Sequence, residues 1–254
     1  MDIITGKANG IVTITFNRPE KKNAITVAMY QTMVNALKDA ENDTEVRAIL
    51  FTGKQESFTT GNDLDDFLRN PPQSTKSPVY QFIETLSHAT KPVIAAVSGL
   101  AVGIGTTMLL HCDFVYAAEN AIFSMPFTKL GLCPEFASSL LLPQIAGYQR
   151  AAEKLMLGEA FSAQEACEMG FVNKVLPAAD VLAFAQAQAA KLLALPASSL
   201  RATKRLMKGK QMAAIEAKIK EESVHFSEML VSKEAKEAFT AFFEKRKPDF
   251  TKFK

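Results

Sequence analysis

Cysteine is scarce in this chain: Cys112, Cys133 and Cys167 are all there is in 254 residues. An odd number with no CxxC spacing argues against a disulfide framework or a zinc site and for a reducing compartment. An excess of one charge is missing too. Twenty-nine Lys and Arg stand against 27 Asp and Glu, a formal net charge of +2, and the cations are scattered. Duplex binding needs a concentrated basic footprint, so nucleic acid is not an expected partner. A few placed cations remain available to a phosphorylated small molecule. No uninterrupted apolar run reaches membrane-spanning length. The opening Met1-Asp2-Ile3-Ile4 is strand-like, with neither a basic start nor an apolar signal core. Lys252-Phe253-Lys254 is not a peroxisomal or retention address. The expectation is a cytoplasmic protein with no membrane partner. Internal repeats and low-complexity segments are lacking as well. Gly99 and Gly103 do not form a GxGxxG fingerprint, and no Walker lysine follows Gly105.

What is present is core-forming sequence. The hydrophobic fraction is 48%, enough for one large domain or a core domain with a helical appendage. Ile11 to Asn17 alternates as a half-buried strand and is stopped by Asn17-Arg18-Pro19-Glu20. Thr26 to Glu41 carries Met29, Met33, Leu37 and Ala40 on one helical stripe. Arg47–Thr52, Val93–Val97, Phe114–Ala117 and Ala121–Ser124 read as strands, and a helix starts near Gly103. Asn70–Pro78, rich in proline and small polar residues, reads as a surface loop. After residue 145 the pattern is helical over Arg150–Leu157, Ala163–Met169 and most of Ala179–Phe243, with Phe171–Leu176 as a strand. The expectation is an α/β core over residues 1–195 followed by a helical region over 196–254.

Two distant segments, Phe58-Thr59-Thr60-Gly61-Asn62-Asp63-Leu64 and Ser98-Gly99-Leu100-Ala101-Val102-Gly103-Ile104-Gly105, each follow an apolar strand-like run. Each places glycine where backbone comes close to a ligand. Together they suggest two backbone N–H groups converging on one ligand oxygen, as in an oxyanion hole. Pro134-Glu135 adds an acid in otherwise apolar and small-residue surroundings.

These residues resemble the crotonase (enoyl-CoA hydratase/isomerase) superfamily over essentially the whole chain. The matching marks are Asn17-Arg18-Pro19-Glu20-Lys21-Lys22-Asn23-Ala24, Thr60–Leu64, Lys91–Val97, Gly99–Gly105, Cys112-Asp113 and Thr240–Arg246. The resemblance implies a fold of stacked ββα turns, C-terminal helices that build a homotrimer or hexamer, and an acyl-CoA thioester as ligand. It implies that the Asn62 and Ile104 N–H groups hold the thioester oxygen, helped by the dipole of the helix near Gly103. It also implies substrate or CoA contacts at Lys22, Ala24, Thr60, Gly61, Asn62, Asp63, Leu64, Gly103, Phe242 and Lys245, the last two often from a neighbouring subunit.

The departures narrow the reaction. Where the family's hydratases carry two glutamates, this chain has Thr107 and Phe127. Gly131-Leu132-Cys133-Pro134-Glu135 instead resembles the Δ3,Δ2-enoyl-CoA isomerases, in which this glutamate is the sole base. The expectation is isomerisation of 3-enoyl-CoA in fatty-acid β-oxidation, with Glu135 moving a proton from C2 to C4 and no metal or further cofactor. Phe127, Leu132 and Phe136 would exclude water and raise the carboxyl pKa. Asp63 reads as an orienter rather than a second base, and His88, His111 and His225 as structural or surface residues. The alternatives are hydration with an unrecognised second acid, and a crotonase domain that binds acyl-CoA without turning it over.

Overall fold

The computed structural model describes residues 1–54, 57–70 and 76–253. Strands β1 (Ile3–Ala8) and β2 (Ile11–Phe16) pair antiparallel. Helix α1 (Val27–Asn42) follows, with the Thr26 hydroxyl accepting the Met29 N–H at its start. Met29, Met33, Leu37 and Ala40 are all buried, as their spacing predicts.

From here the strands come in pairs. These are β3 (Ala48–Gly53) with β4 (Ser57–Thr59), β5 (Val93–Val97) with β6 (Leu100–Val102), and β7 (Phe114–Ala118) with β8 (Ile122–Ser124). Helices α2 (Leu64–Arg69) and α3 (Pro78–Ser87) follow the first pair, and α4 (Ile104–Thr107) follows the second. The first strand of each pair joins one sheet and the second joins another. The result is a six-stranded sheet in the order β1-β2-β3-β5-β7-β10 and a four-stranded sheet in the order β4-β6-β8-β9. After β8 come α5 (Ser138–Ala146), α6 (Tyr148–Leu157), β9 (Phe161–Ser162), α7 (Ala163–Met169), β10 (Lys174–Leu176), α8 (Val181–Leu193), α9 (Ala197–Leu230) and α10 (Lys233–Phe243).

The large sheet is covered on both faces. Ile49, Phe51, Ala95 and Val97 point into the main core, whereas Ala48, Leu50, Ile94 and Ala96 pack under Val181, Ala185 and Ala189 of α8. Two-sided burial is why β3 and β5 are apolar almost throughout and do not alternate. The expected division at residues 195 and 196 falls between α8 and α9. Ile215 and Phe226 of α9 nevertheless belong to the same buried cluster as the strands.

Helix α9 is tied down by charge as well. The Lys204 ammonium, 6% exposed, donates to Asp113 Oδ2 (2.6 Å) and to the Lys91 carbonyl (2.7 Å). The same Asp113 oxygen accepts the Val93 N–H at the head of β5. Severing such a buried pair by removing one partner costs about 3–5 kcal/mol.

The structure departs from the sequence reading in several places. Helices α2, α3 and α5 and the short strands β4, β6 and β9 are additions to it. The strand expected over Phe171–Leu176 is reduced to Lys174–Leu176. The helix near Gly103 is one turn long before it tightens into a 3-10 turn at Met108–His111, so few peptide dipoles align behind Ile104. In the expected surface loop at Asn70–Pro78, residues 71–75 lie outside the described residues, and Pro78 is already the first residue of α3. Among the described residues no helix is long and apolar enough to cross a membrane.

Candidate active site

The three parallel strands of the small sheet explain why residues far apart in sequence meet. Strand β4 pairs with β6 (Ser57 opposite Leu100, Thr59 opposite Ala101), and β6 pairs with β8. Their carboxyl ends therefore open onto one rim, the usual place for a ligand in a parallel sheet. Thr60-Gly61-Asn62 leaves the end of β4, Gly103-Ile104 the end of β6, and the arm leading to Glu135 the end of β8.

The first motif is held by the Asn17–Ala24 segment. The buried Asn23 side chain accepts the Arg18 N–H (2.7 Å) and donates to the Ser57 carbonyl (2.7 Å), and its own carbonyl accepts the Thr59 hydroxyl. Ile25 bridges the strand end by donating to the Gly61 carbonyl and accepting the Asp63 N–H. That pairing turns the intervening Asn62 N–H the other way. Ile104 is the first residue of α4 and has no acceptor inside it. Among the described residues nothing accepts a hydrogen bond from either N–H. Gly61 (φ +80°) makes the close approach possible: a methyl group there would stand 2.6 Å from the Val102 carbonyl oxygen and 3.8 Å from the Ile104 nitrogen. Gly103, at φ 57° and ψ −121°, adopts a conformation that side chains exclude.

Two further residues hold Asn62 and its neighbour. The buried Tyr30 hydroxyl donates to Asn62 Oδ1 (2.5 Å). Arg18 donates to Asp63 Oδ2 (2.7 Å), while Asp63 Oδ1 accepts the Asp65 and Asp66 N–H groups that open α2. Burial pushes the Asp63 carboxyl up, but Arg18 and those N–H groups pull it below its ordinary value. Asp63 is thus an ionised helix cap, with its oxygens already committed.

Glu135 sits on an arm with a distorted backbone. Phe136 and Ala137, both non-glycine, are left-handed in succession (φ 59° and 55°), at a cost of about 1–2 kcal/mol each. Phe136 is clamped by His111, which stacks on its ring at 4.0 Å and donates from Nε2 to its carbonyl (2.8 Å). Burial depresses the His111 pKa to about 3, so that imidazole is neutral and structural.

The Glu135 side chain is buried (8% exposed), and its Oε1 has no hydrogen-bond partner among the described residues. Burial first, and the nearby Glu222 carboxyl second, push its pKa up to about 8. Because the folded protein keeps this proton where the unfolded chain releases it, stability from this group is full below about pH 4.5. It is lost as pH rises through 8. E135Q escapes that loss. Its unfolding free energy should match wild type near pH 5 and exceed it increasingly toward pH 9, by on the order of a few kcal/mol, with the melting temperature rising in step. Equal differences at both pH values would mean the carboxyl ionises as freely as in water.

One cavity of about 630 Å3 collects these parts. Its walls include Lys22, Ala24, Thr60, Gly61, Asn62, Asp63, Leu64, Gly103, Ile104, Glu135 and Phe242. Lys245, the remaining residue singled out from sequence, does not line it. It follows α10 in a left-handed conformation and donates its N–H to the Phe242 carbonyl. Phe242 lines the cavity of its own chain, although a neighbouring subunit was an expected source. Phe127 is in the wall and Thr107 is not.

Sequence reasoning missed Lys21 and Lys129 at the cavity, Phe67, Phe226 and Phe239 in its walls, and the Glu222 carboxyl behind Glu135. Cys133 is outside the wall, and burial raises its thiol to about 11. Among the described residues no group of three or more His, Cys, Asp or Glu is placed to hold a metal ion.

Comparison with known proteins agrees with this geometry. The family model for enoyl-CoA hydratase/isomerase matches residues 6–253. The chain is 35% identical over 252 residues to enoyl-CoA delta isomerase 2 of Rattus norvegicus, covering 97% of this chain but 64% of that protein's length. It is 31% identical over 250 residues to 2,3-dehydroadipyl-CoA hydratase of Escherichia coli (strain K12), covering 98% of each. The crystal structure of an enoyl-CoA hydratase/isomerase from Pseudoalteromonas atlantica T6c superimposes with a TM-score of 0.95 at 39% identity, covering 99% of this chain and 100% of that one. On sequence, fold and the arrangement of its cavity, this chain belongs to the enoyl-CoA hydratase/isomerase family and has the crotonase fold.

Proposed function

We propose that this enzyme isomerises 3-enoyl-CoA to trans-2-enoyl-CoA, in fatty-acid β-oxidation and in the cytoplasm. The observation that carries the reading is a buried carboxyl with an unpartnered oxygen, in the same cavity as two backbone N–H groups that lack acceptors. The Glu135 carboxylate removes a proton from C2. The electron pair moves into a dienolate whose charge rests on the thioester oxygen, held by the Asn62 and Ile104 N–H groups. Glu135, now an acid, returns the proton to C4 as the C2–C3 double bond forms and the thioester carbonyl is restored. Atoms and charge balance with no cofactor beyond the CoA that the substrate carries. A pKa near 8 suits a group that must first take and then give a proton near neutral pH. Lys21, Lys22 and Lys129 supply positive charge for the CoA phosphates. Lys245 reaches CoA from a neighbouring copy in a homotrimer or hexamer.

A hydratase is the second reading, favoured by the Escherichia coli relative and by Glu222 as a second carboxyl near Glu135. Hydration needs both acids to reach one water beside the substrate. Glu222 does not line the cavity, and both its oxygens accept hydrogen bonds from the start of α5. Isomerisation is therefore preferred. Trans-3-hexenoyl-CoA should be converted to the conjugated 2-enoyl thioester, and 2-hexenoyl-CoA should not gain water. Hydration without isomerisation would reverse the choice, and silence on both substrates would move the weight to acyl-CoA binding without turnover.

A further inference from the structure

Glu222 lies 87 residues beyond Glu135 in sequence, on the helix that packs over the Glu135 arm. It is 6% exposed. Its Oε2 accepts the Ala137 N–H (2.6 Å), and its Oε1 accepts the Ser139 N–H (3.0 Å) and hydroxyl (2.5 Å). These donors belong to the left-handed turn after Glu135 and to the first turn of α5, so a carboxylate from α9 caps α5. Glu222 and Glu135 also share the wall of a second, small cavity of about 20 Å3, room for one water molecule. Burial pushes the Glu222 carboxyl above its ordinary value, while the Ser139 and Ala137 donors, and the Lys218 charge after them, pull it back toward the ionised form. Lys218, one turn earlier on α9, is paired with Glu221 (2.6 Å), and His225 faces Glu228 at 3.8 Å. From other elements, Tyr80 of α3 lines the small cavity, Cys133 donates weakly to the Glu222 carbonyl, Tyr30 of α1 feels the Glu135 charge, and His111 is neutral.

We propose that Glu222 is a positioning residue for the proton shuttle. It fixes the turn that aims the Glu135 carboxyl into the substrate cavity, and it keeps a second negative charge behind that carboxyl. The inference rests on Glu135 being the shuttle. Glu222 itself touches no substrate. Its charge adds to burial in making Glu135 the stronger base.

The test reads Glu135 directly as well as through turnover. In protein labelled with carboxyl-13C glutamate, the Glu135 resonance is assigned by its loss in E135Q, then titrated in wild type, E222Q and E222D. E222Q should lower the Glu135 midpoint by about one pH unit, carry the acidic limb of kcat/KM down with it, and reduce kcat about tenfold with KM little changed. E222D keeps the charge on a shorter arm, so the midpoint should stay near wild type while kcat still falls. An unmoved midpoint in folded E222Q would overturn the electrostatic half. Full kcat in E222D would overturn the positioning half, and this variant remains informative where E222Q does not fold. If the midpoint moves yet E135Q retains turnover, the coupling stands and the shuttle assignment fails.

Discussion

E135Q should lose at least about a thousandfold in kcat on 3-enoyl-CoA while binding acyl-CoA almost as well as wild type. Glutamine matches the shape of glutamate and can still donate and accept hydrogen bonds, but it cannot take a proton from C2. The structure makes the substitution clean. Glu135 Oε1 has no protein partner to lose, and the Glu135 carbonyl, which accepts the Ser138 hydroxyl (2.6 Å), is untouched. In the proposed reaction affinity comes from other parts of the cavity, its cations and apolar walls, which interact alike with substrate and intermediate. The loss should therefore appear in kcat and not in KM. The gain in melting temperature at alkaline pH in the same variant excludes unfolding as the cause. Retained turnover in E135Q would remove Glu135 from the reaction.

The second large effect is expected at a residue with no side chain. G61A should lower kcat about a hundred- to a thousandfold, the magnitude associated with loss of one oxyanion donor. A methyl group at Gly61 meets the Val102 carbonyl oxygen at 2.6 Å, and the φ of +80° is itself unfavourable for alanine. The Thr60–Asp63 segment must move away from Val102–Ile104, which draws the Asn62 and Ile104 N–H groups apart. In the proposed reaction they act on charge that develops only in the dienolate, so kcat should fall more than affinity. G6A is the control: Gly6 has open space around its Cβ position and should leave kinetics unchanged. The comparison belongs well below the melting temperature, since G61A also strains the backbone. Unchanged kcat in folded G61A would mean the thioester oxygen is held elsewhere.

Much of this protein was legible in one dimension. The helical stripe of Met29, Met33, Leu37 and Ala40, the strands at Ile11–Asn17, Arg47–Thr52, Val93–Val97, Phe114–Ala117 and Ala121–Ser124, and the two glycine segments announce themselves through local rules of periodicity and turn geometry, and Glu135 through the family resemblance. Two of the missed helices, α2 and α5, were illegible for local reasons too, whereas α3 carries Val79, Phe82, Ile83 and Leu86 at helical spacing and was legible. Helix α2 is only six residues, Leu-Asp-Asp-Phe-Leu-Arg, too short for a periodic pattern, and its cap Asp63 reads equally well as part of a ligand motif. Helix α5 carries Pro143 and begins behind two left-handed residues, signals that argue against a helix.

What tertiary structure decided is the chemistry of proximity. Only the parallel pairing of β4 with β6 brings Asn62 and Ile104 to one rim, because strand partners are chosen by packing across the whole sheet and not by neighbouring residues. Glu222 is the sharper case. In sequence it lies in Lys218-Ile219-Lys220-Glu221-Glu222, which reads as the solvated face of a long helix. Folding buries it against Ala137 and Ser139 and sets its charge behind Glu135. Sequence alone determined that a carboxylate stands at position 135. How basic that carboxylate is depends on which apolar groups exclude water from it and which charge shares its enclosure, and those neighbours exist only once the chain has closed around them.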